Sequence, residues 1–222
     1  MGVLTSSRYA NSSLGDKFAR NRIFVDVVGH DKEVLELGCS TGFLSQHLAM
    51  NGCKVTGVEV DAEAAETARG SCDRVENIDI NDPNWINKVG GPFDAILFGD
   101  VLEHLLDPLT TLRLSRQLLR DGGEVVISLP NIAHWSIRTK LLLGNFDYQE
   151  YGILDVTHLR FFTMKSALAL IDEAGFTVRD FWPIIGGRFS QHFRGIWQFW
   201  GRIFPGILSV QMMFRVVPKA AV

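Results

Sequence analysis

Cysteine, long apolar runs and surplus charge are all scarce in this sequence. Cysteine occurs three times in 222 residues, at Cys39, Cys53 and Cys72. The spacing suits neither a zinc site nor a disulfide framework, and reduced thiols in a cytoplasmic protein are expected. No apolar run is long enough to span a bilayer. The opening MGVLTSSRYANSSLGDKF lacks the apolar stretch of a secretion signal, so a soluble chain is expected. With 22 basic against 25 acidic residues the formal net charge is −3, which gives no electrostatic case for a nucleic-acid partner. Repeats and low-complexity segments are missing too.

What is present reads as an ordinary globular composition: 46% of residues are hydrophobic and 21% charged. The length suits one domain over 1–222, able to bury a sizeable core. Helical spacing over 16–29, with Asp16 as N-cap, precedes a doubly buried strand at Glu33–Leu37. The pattern then alternates: helix Phe43–Asn51, strand Lys54–Val60, helix Ala62–Gly70, strand Arg74–Asn77, strand Phe93–Gly99, helix Leu105–Arg120 and strand Glu124–Leu129. Alternation of this kind implies parallel crossovers and a sheet covered on both faces. After Pro130 it relaxes into an insertion at about 132–162, with a helix at Trp135–Leu143. A helix at Thr163–Ala174 capped by Thr163, a strand at Gly175–Phe181 and a last strand at Ser209–Val217 complete the pattern.

The turn after the first strand carries the first functional signal. Gly38-Cys39-Ser40-Thr41-Gly42 fits the G-x-S-x-G elbow of serine hydrolases, with Ser40 as nucleophile. That elbow normally follows a central strand well into the chain, with an oxyanion loop laid down upstream; here mostly helical sequence precedes it. The same turn falls short of the dinucleotide fingerprint, because Ser40 stands at the second glycine and no third follows. Glu59, ending the next strand, stands where a carboxylate grips ribose hydroxyls. The loop therefore suits a nucleoside cofactor without a pyrophosphate against the helix.

At this point "VLELGCSTG", "VTGVEVDAEAAETAR", "NIDIND", "FDAILFGDVLEHLLDP" and "LLRDGGEVVISLPN" together resemble class I S-adenosylmethionine-dependent methyltransferases, in order and spacing from about Glu33 to Asn131. The resemblance implies a Rossmann-like seven-stranded α/β fold, mostly parallel with helices on both faces, and S-adenosylmethionine as cofactor with S-adenosylhomocysteine as product. It also implies roles. Glu36 would hold the methionine amino group, and Gly38, Cys39, Ser40 and Gly42 would line the loop. Glu59 would take the ribose, Val60 would flank the adenine, Asp79 would meet its amino group with Ile80 beside it, and Gly99 would approach the sulfonium. Ser40 is the departure from the family's commoner glycine. Taken singly, the glycines could be turn glycines, Glu59 a solvated acid and Asp79 a cap of the following turn.

Methyl transfer to a hydroxyl needs a base or a metal ion. Asp100-Val101-Leu102-Glu103-His104 follows the fourth strand, at the ligand-binding end of such sheets. In a helical turn Asp100, Glu103 and His104 share a face. Three readings stay open: a structural brace, His104 as general base, or a divalent metal on Asp100, Glu103 and His104 with His134 or His158 as fourth ligand. The metal reading follows the resemblance to metal-dependent hydroxyl methyltransferases. "DVTHLRFFT", with the insertion before it, resembles a bacterial subset associated with polysaccharide or natural-product biosynthesis. It offers His158 and Arg160 on the substrate side; the plain alternative is capping by Thr157 and Thr163, packing by Phe161 and Phe162, and Arg160 paired with an acid. His134 and Trp135 could line the acceptor pocket, and Trp135 could equally be core. Arg8 and Tyr9 could close over the cofactor.

In a C-terminal helix at about 188–206, Phe189, Phe193, Ile196, Trp200 and Ile203 would form one face, opposite Gln191, Arg194, Gln198 and Arg202. Such a stripe packs on its own domain or a second subunit, or lies in a membrane interface near a lipid-linked substrate. The expected reaction is methyl transfer to a hydroxyl oxygen of a small molecule or glycan. A Ser40 hydrolase and a non-catalytic cofactor-binding module are the alternatives.

Overall fold

The computed structural model describes residues 14–185, 199–201 and 203–220, with the backbone alone described over 14–19. Seven strands form one sheet in the order β3-β2-β1-β4-β5-β7-β6. They are β1 Glu33–Leu37, β2 Lys54–Glu59, β3 Arg74–Asn77, β4 Phe93–Gly99, β5 Leu119–Pro130, β6 Phe176–Ile184 and β7 Gln211–Pro218. All neighbouring pairs are parallel except those of β7, which runs antiparallel to β5 and β6. The helices are α1 Leu14–Val28, α2 Phe43–Met50, α3 Ala62–Ala68, α4 Ile86–Val89, α5 Pro108–Ser115, α6 Trp135–Leu142 and α7 Met164–Glu173, with a short helix at Pro205–Leu208.

β1 lies between β2 and β4, so the chain leaves it in one direction and returns on its other side. Such a switch point opens a crevice at the carboxyl ends of the strands. β1 (EVLEL) divides its side chains by the two-residue period of a strand. Leu35 and Leu37 join the cluster under α4, α5 and α7, with Trp85, Leu112 and Ile171. Val34 faces the other cluster, with Phe24 and Val28 of α1 and Leu44 and Leu48 of α2. Glu36 shares the Val34 face, so a carboxyl is carried into the layer between sheet and helices, where it is buried.

Caps set where the site-bearing helices begin. Asp61 accepts from the backbone of Glu63 and Ala64 at the start of α3, and Asp107 accepts from Thr110 N at the start of α5, with Pro108 in its first turn. Thr163 caps α7, as the sequence suggests, and Ser166 returns the bond in a reciprocal capping box. Several expectations shift. Asp16 lies inside α1 and is not its N-cap, because the helix already starts at Leu14. α5 is shorter than the sequence pattern, since Leu102–His104 and Arg116–Leu118 wind as separate 3₁₀ turns. β5 starts earlier, at Leu119, and pairs across a register shift that absorbs the Gly122-Gly123 turn. Among the described residues no helix is long and apolar enough to cross a membrane.

Candidate active site

The turn after β1 is built by left-handed backbone. Gly38, Ser40 and Gly42 have φ of +68°, +51° and +81°. A Cβ at Gly38 would stand 2.6 Å from Val101 Cγ2, and one at Gly42 2.9 Å from Ser71 Cβ. Gly38 N and Cys39 N both donate to Val58 O, and Gly42 N closes the turn on Cys39 O. The Glu59 carboxylate ties this loop to the next crossover: it accepts from Ser40 N at 2.9 Å and Asp61 N at 3.0 Å. Each oxygen thus takes one backbone donor, and a carboxylate oxygen has a second lone pair to offer a ribose hydroxyl. A loop this close and a carboxylate so placed fit a nucleoside cofactor; a solvated surface acid would not be buried here.

Glu36 accepts from Ser45 Oγ at 2.5 Å. Burial pushes its carboxyl up to about 8, against the Ser45 hydrogen bond, which favours the charged form. Val60 is exposed, Ile80 buried, and Asp79 sits at the surface with Oδ1 accepting from Asn81 N and Nδ2. Asp79 therefore turns the loop after β3, while Asp82 caps the 3₁₀ turn that follows. Gly99 lies at the end of β4 against the ring of Phe24.

The cluster beyond β4 divides. Asp100 has φ +59° and turns toward Ser128 Oγ, at 2.6 Å, and toward the Arg20 guanidinium and the Gln211 amide. Gln211 can reach it because β7 runs antiparallel and pairs Gln211 with Pro130, at the end of the sheet where the parallel strands finish. The shared helical face for Asp100, Glu103 and His104 is not formed: only Leu102–His104 is helical, and as a 3₁₀ turn. What converges instead is Glu103, His104 and His158, one ligand atom of each lying within 4.8 Å of the others. The insertion delivers His158, because Leu159 N and Arg160 N both donate to Glu103 O at 2.9 Å.

Glu103 is fully buried, and neither carboxylate oxygen has a hydrogen-bond partner among the described residues. His158 Nε2 lies 4.0 Å from its Oε1. Burial pushes the Glu103 carboxyl up to about 8 and both imidazoles down. His104 Nδ1 meets Thr157 O at 3.1 Å and His158 Nδ1 meets Ile153 O at 3.2 Å. A carbonyl only accepts, so each Nδ1 carries the proton and Nε2 is the basic nitrogen.

His134 stands apart as the N-cap of α6, with Nδ1 accepting from Ser136 N, and is no fourth member of the cluster. Trp135 is exposed and not core. Arg160 donates to the Leu106 carbonyl at 2.6 Å and pairs with no acid among the described residues, while Phe162 is buried as expected. Arg8, Tyr9, Arg202 and residues 189–198, where a helix is expected, lie outside the described residues. Arg20, Ser45, Ser128 and Gln211 are site residues that motif reading misses. Arg20 alone left a signal, being spaced with Phe24 and Val28 on the inward stripe of α1.

Residues 9–180 match the family described as methyltransferase domain. The chain belongs to that methyltransferase family. The class I resemblance holds, and S-adenosylmethionine is the cofactor that goes with this family. Curated relatives include the ubiquinone biosynthesis O-methyltransferases of Aromatoleum aromaticum, 34% identical over 104 residues (45% of this chain, 44% of that protein), and of Erwinia tasmaniensis, 31% identical over 104 residues (45% and 43%). The chain spans less than half the length of these relatives. Among solved structures, a methyltransferase and possible histamine N-methyltransferase from Thermotoga maritima superposes with a TM-score of 0.66 at 18% identity, covering 96% of both chains. The CcbJ methyltransferase of Streptomyces caelestis gives 0.66 at 15%, covering 97% and 96%. The methyltransferase fold is thus shared well beyond recognisable sequence, and a Ser40 hydrolase is not favoured.

Proposed function

We propose that this cytoplasmic, single-domain methyltransferase modifies a hydroxyl oxygen of a small molecule or glycan, with His158 Nε2 as proton acceptor and Glu103 as its charge partner. The carrying observation is the Glu103 carboxyl, buried without a hydrogen-bond partner among the described residues and 4.0 Å from His158 Nε2. A buried carboxylate without a hydrogen-bond donor is costly. The Arg20 guanidinium offsets that only in part, since burial still dominates, and a positive charge on His158 would add to it. Protonation of His158 by an acceptor hydroxyl supplies that charge. S-adenosylmethionine, when bound, offers an electrophilic methyl group on its sulfonium, so the chain's own task is to position the acceptor and remove its proton. The oxygen-methylating relatives support oxygen as the acceptor atom.

The cofactor assignment rests on the loop and its two carboxyls. Glu36 receives the methionine amino group, and Gly38, Cys39, Ser40 and Gly42 line the turn. Glu59 takes the ribose hydroxyls; Val60, Asp79 and Ile80 border the adenine, and Gly99 approaches the sulfonium. Arg20 brings a positive charge near Glu36 and Glu103, suited to the methionine carboxylate. Asp100 holds Arg20, Ser128 and Gln211 in place and so positions the pocket.

One observation favours a second reading of the same cluster: the donor set of Glu103, His104 and His158 also suits a divalent transition metal. Backbone carbonyls on both Nδ1 atoms orient the rings as metal-bound imidazoles are oriented. An acceptor screen with and without a chelator separates the two. Base catalysis predicts turnover that survives chelation and falls in His158→Ala; metal dependence predicts loss on chelation, restored by the ion. Contact with a membrane surface is supported by the exposed Phe199, Trp200, Ile203, Phe204 and Ile207. Co-sedimentation with anionic liposomes tests it, and a chain left wholly in the supernatant overturns it.

A further inference from the structure

Gly57 sits in the middle of β2, paired with Glu36 of β1 on one side and Val75 of β3 on the other. A strand interior is a poor place for glycine unless something approaches the backbone closely. Here two sulfurs do. A Cβ at Gly57 would meet Cys39 Sγ at 2.7 Å and Cys72 Sγ at 3.1 Å. The two sulfurs therefore face the same point of β2, the Cys39 thiol donating to Ser40 O at 3.8 Å, close to Ser45, the residue that holds Glu36. Cys39 belongs to the loop after β1, and Cys72 to the turn between α3 and β3, where the neighbouring Ser71 packs on Gly42. Two segments that meet around the cofactor loop therefore each present a sulfur to the same space.

We propose that Cys39 and Cys72 form a peroxide-sensitive dithiol whose oxidation to a disulfide disables the cofactor loop. Both cysteines are free thiols, Cys72 partly exposed and Cys39 buried. The Cys39 sulfur beside it holds the Cys72 thiol below its ordinary value, and Cys72, the member a peroxide can reach, is the nucleophile. Its thiolate attacks a hydroperoxide, forming an S–O bond and breaking O–O, with the alcohol or water as leaving group. The Cys39 sulfur then attacks the sulfenic acid and displaces hydroxide, which leaves as water with the Cys39 proton. Two thiols are oxidised by two electrons and one hydroperoxide is reduced. The S–S bond, about 2.0 Å long, pulls Cys39 toward the α3–β3 turn and away from the geometry in which Ser40 N reaches Glu59.

The consequence for binding rests on the cofactor assignment above, so two readouts are needed. Hydrogen peroxide is added to the full chain, and intact mass, peptide mapping without reductant and calorimetric titration with S-adenosylhomocysteine follow. The expected result is a loss of two hydrogens mapped to a Cys39–Cys72 linkage, with affinity weakened at least about tenfold and restored by dithiothreitol. Cys72→Ser retains through the same treatment whatever affinity it has before it, and Cys53→Ser responds as the wild type does. Oxidation at Cys53, an intermolecular linkage or arrest at a higher oxide of Cys72 overturns the dithiol. A Cys39–Cys72 bond with unchanged affinity overturns the switch. Failure of the reduced chain to bind S-adenosylhomocysteine would instead condemn the cofactor assignment, while the mass readout still decides the dithiol.

Discussion

His158 Nε2 lies 4.0 Å from Glu103 Oε1, and both side chains are buried. The insertion before α7 is latched onto the 3₁₀ turn by Leu159 N and Arg160 N, so the histidine reaches this place through backbone bonds rather than through a flexible side chain. His158→Ala is expected to lower kcat by about 100- to 10,000-fold, the usual contribution of a positioned base. Glu103→Gln, which keeps the shape and removes the charge partner, is expected to lose less. Calorimetry should find S-adenosylhomocysteine affinity within about twofold of wild type in both. A loss confined to KM would assign the pair to acceptor binding instead.

Glu59 holds the loop and the ribose site at once, through Ser40 N and Asp61 N. Hydrogen bonds to a charged group contribute about 1.5–3 kcal/mol each. Glu59→Ala should therefore weaken S-adenosylhomocysteine by about 100-fold or more in a calorimetric titration. Affinity retained in this variant would remove Glu59 from the cofactor site.

Gly38 is needed for two separate reasons. Its φ is +68°, and a Cβ would lie 2.6 Å from Val101 Cγ2. Left-handed backbone costs about 1–2 kcal/mol in a residue with a side chain, and overpacking about 1–3 kcal/mol more. Gly38→Ala is expected to lower Tm by about 5–15 °C, given roughly 2–4 °C per kcal/mol at this size. Because Val101 precedes the turn that carries Glu103, turnover should fall further than stability alone explains. A thermal melt like that of wild type would show that the loop has slack here.

The parts of this molecule written locally were legible. β1 and β4 have the bounds their apolar runs suggest, because a buried parallel strand flanked by turns carries its own signal; the short edge strand β3 (RVEN) also has the expected bounds. Glu36, Gly38 and Glu59 stand at or beside the ends of β1 and β2 and Gly42 caps α2, so the crossover pattern already places them near one another. Asp100 does not share a face with Glu103 and His104. Its direction depends on a left-handed φ and on Arg20, Ser128 and Gln211, which come from α1, β5 and β7. No spacing within five residues encodes that. His158 was a candidate on its own, but its meeting with Glu103 is a long-range event set by the fold of the insertion.

Glu36 links the cofactor site to pH. Its folded pKa is raised to about 8 by burial, above the ordinary 4.5, so the cofactor-free protein binds more protons folded than unfolded. Stability from this group is then fully present below about pH 4.5 and lost as pH rises through 8. A tenfold change in the protonation constant is about 1.4 kcal/mol, which puts the loss between pH 5 and pH 8 at a few kcal/mol. Glu36→Gln cannot ionise, so it should melt close to wild type at pH 5 and several degrees higher at pH 8. The same substitution should weaken S-adenosylhomocysteine, because the methionine ammonium then has no carboxylate to neutralise. The two effects oppose each other, and that opposition is the test: a variant less stable than wild type at pH 8 would mean that Glu36 is already charged and supported in the empty protein, with Arg20 the nearest group able to do so.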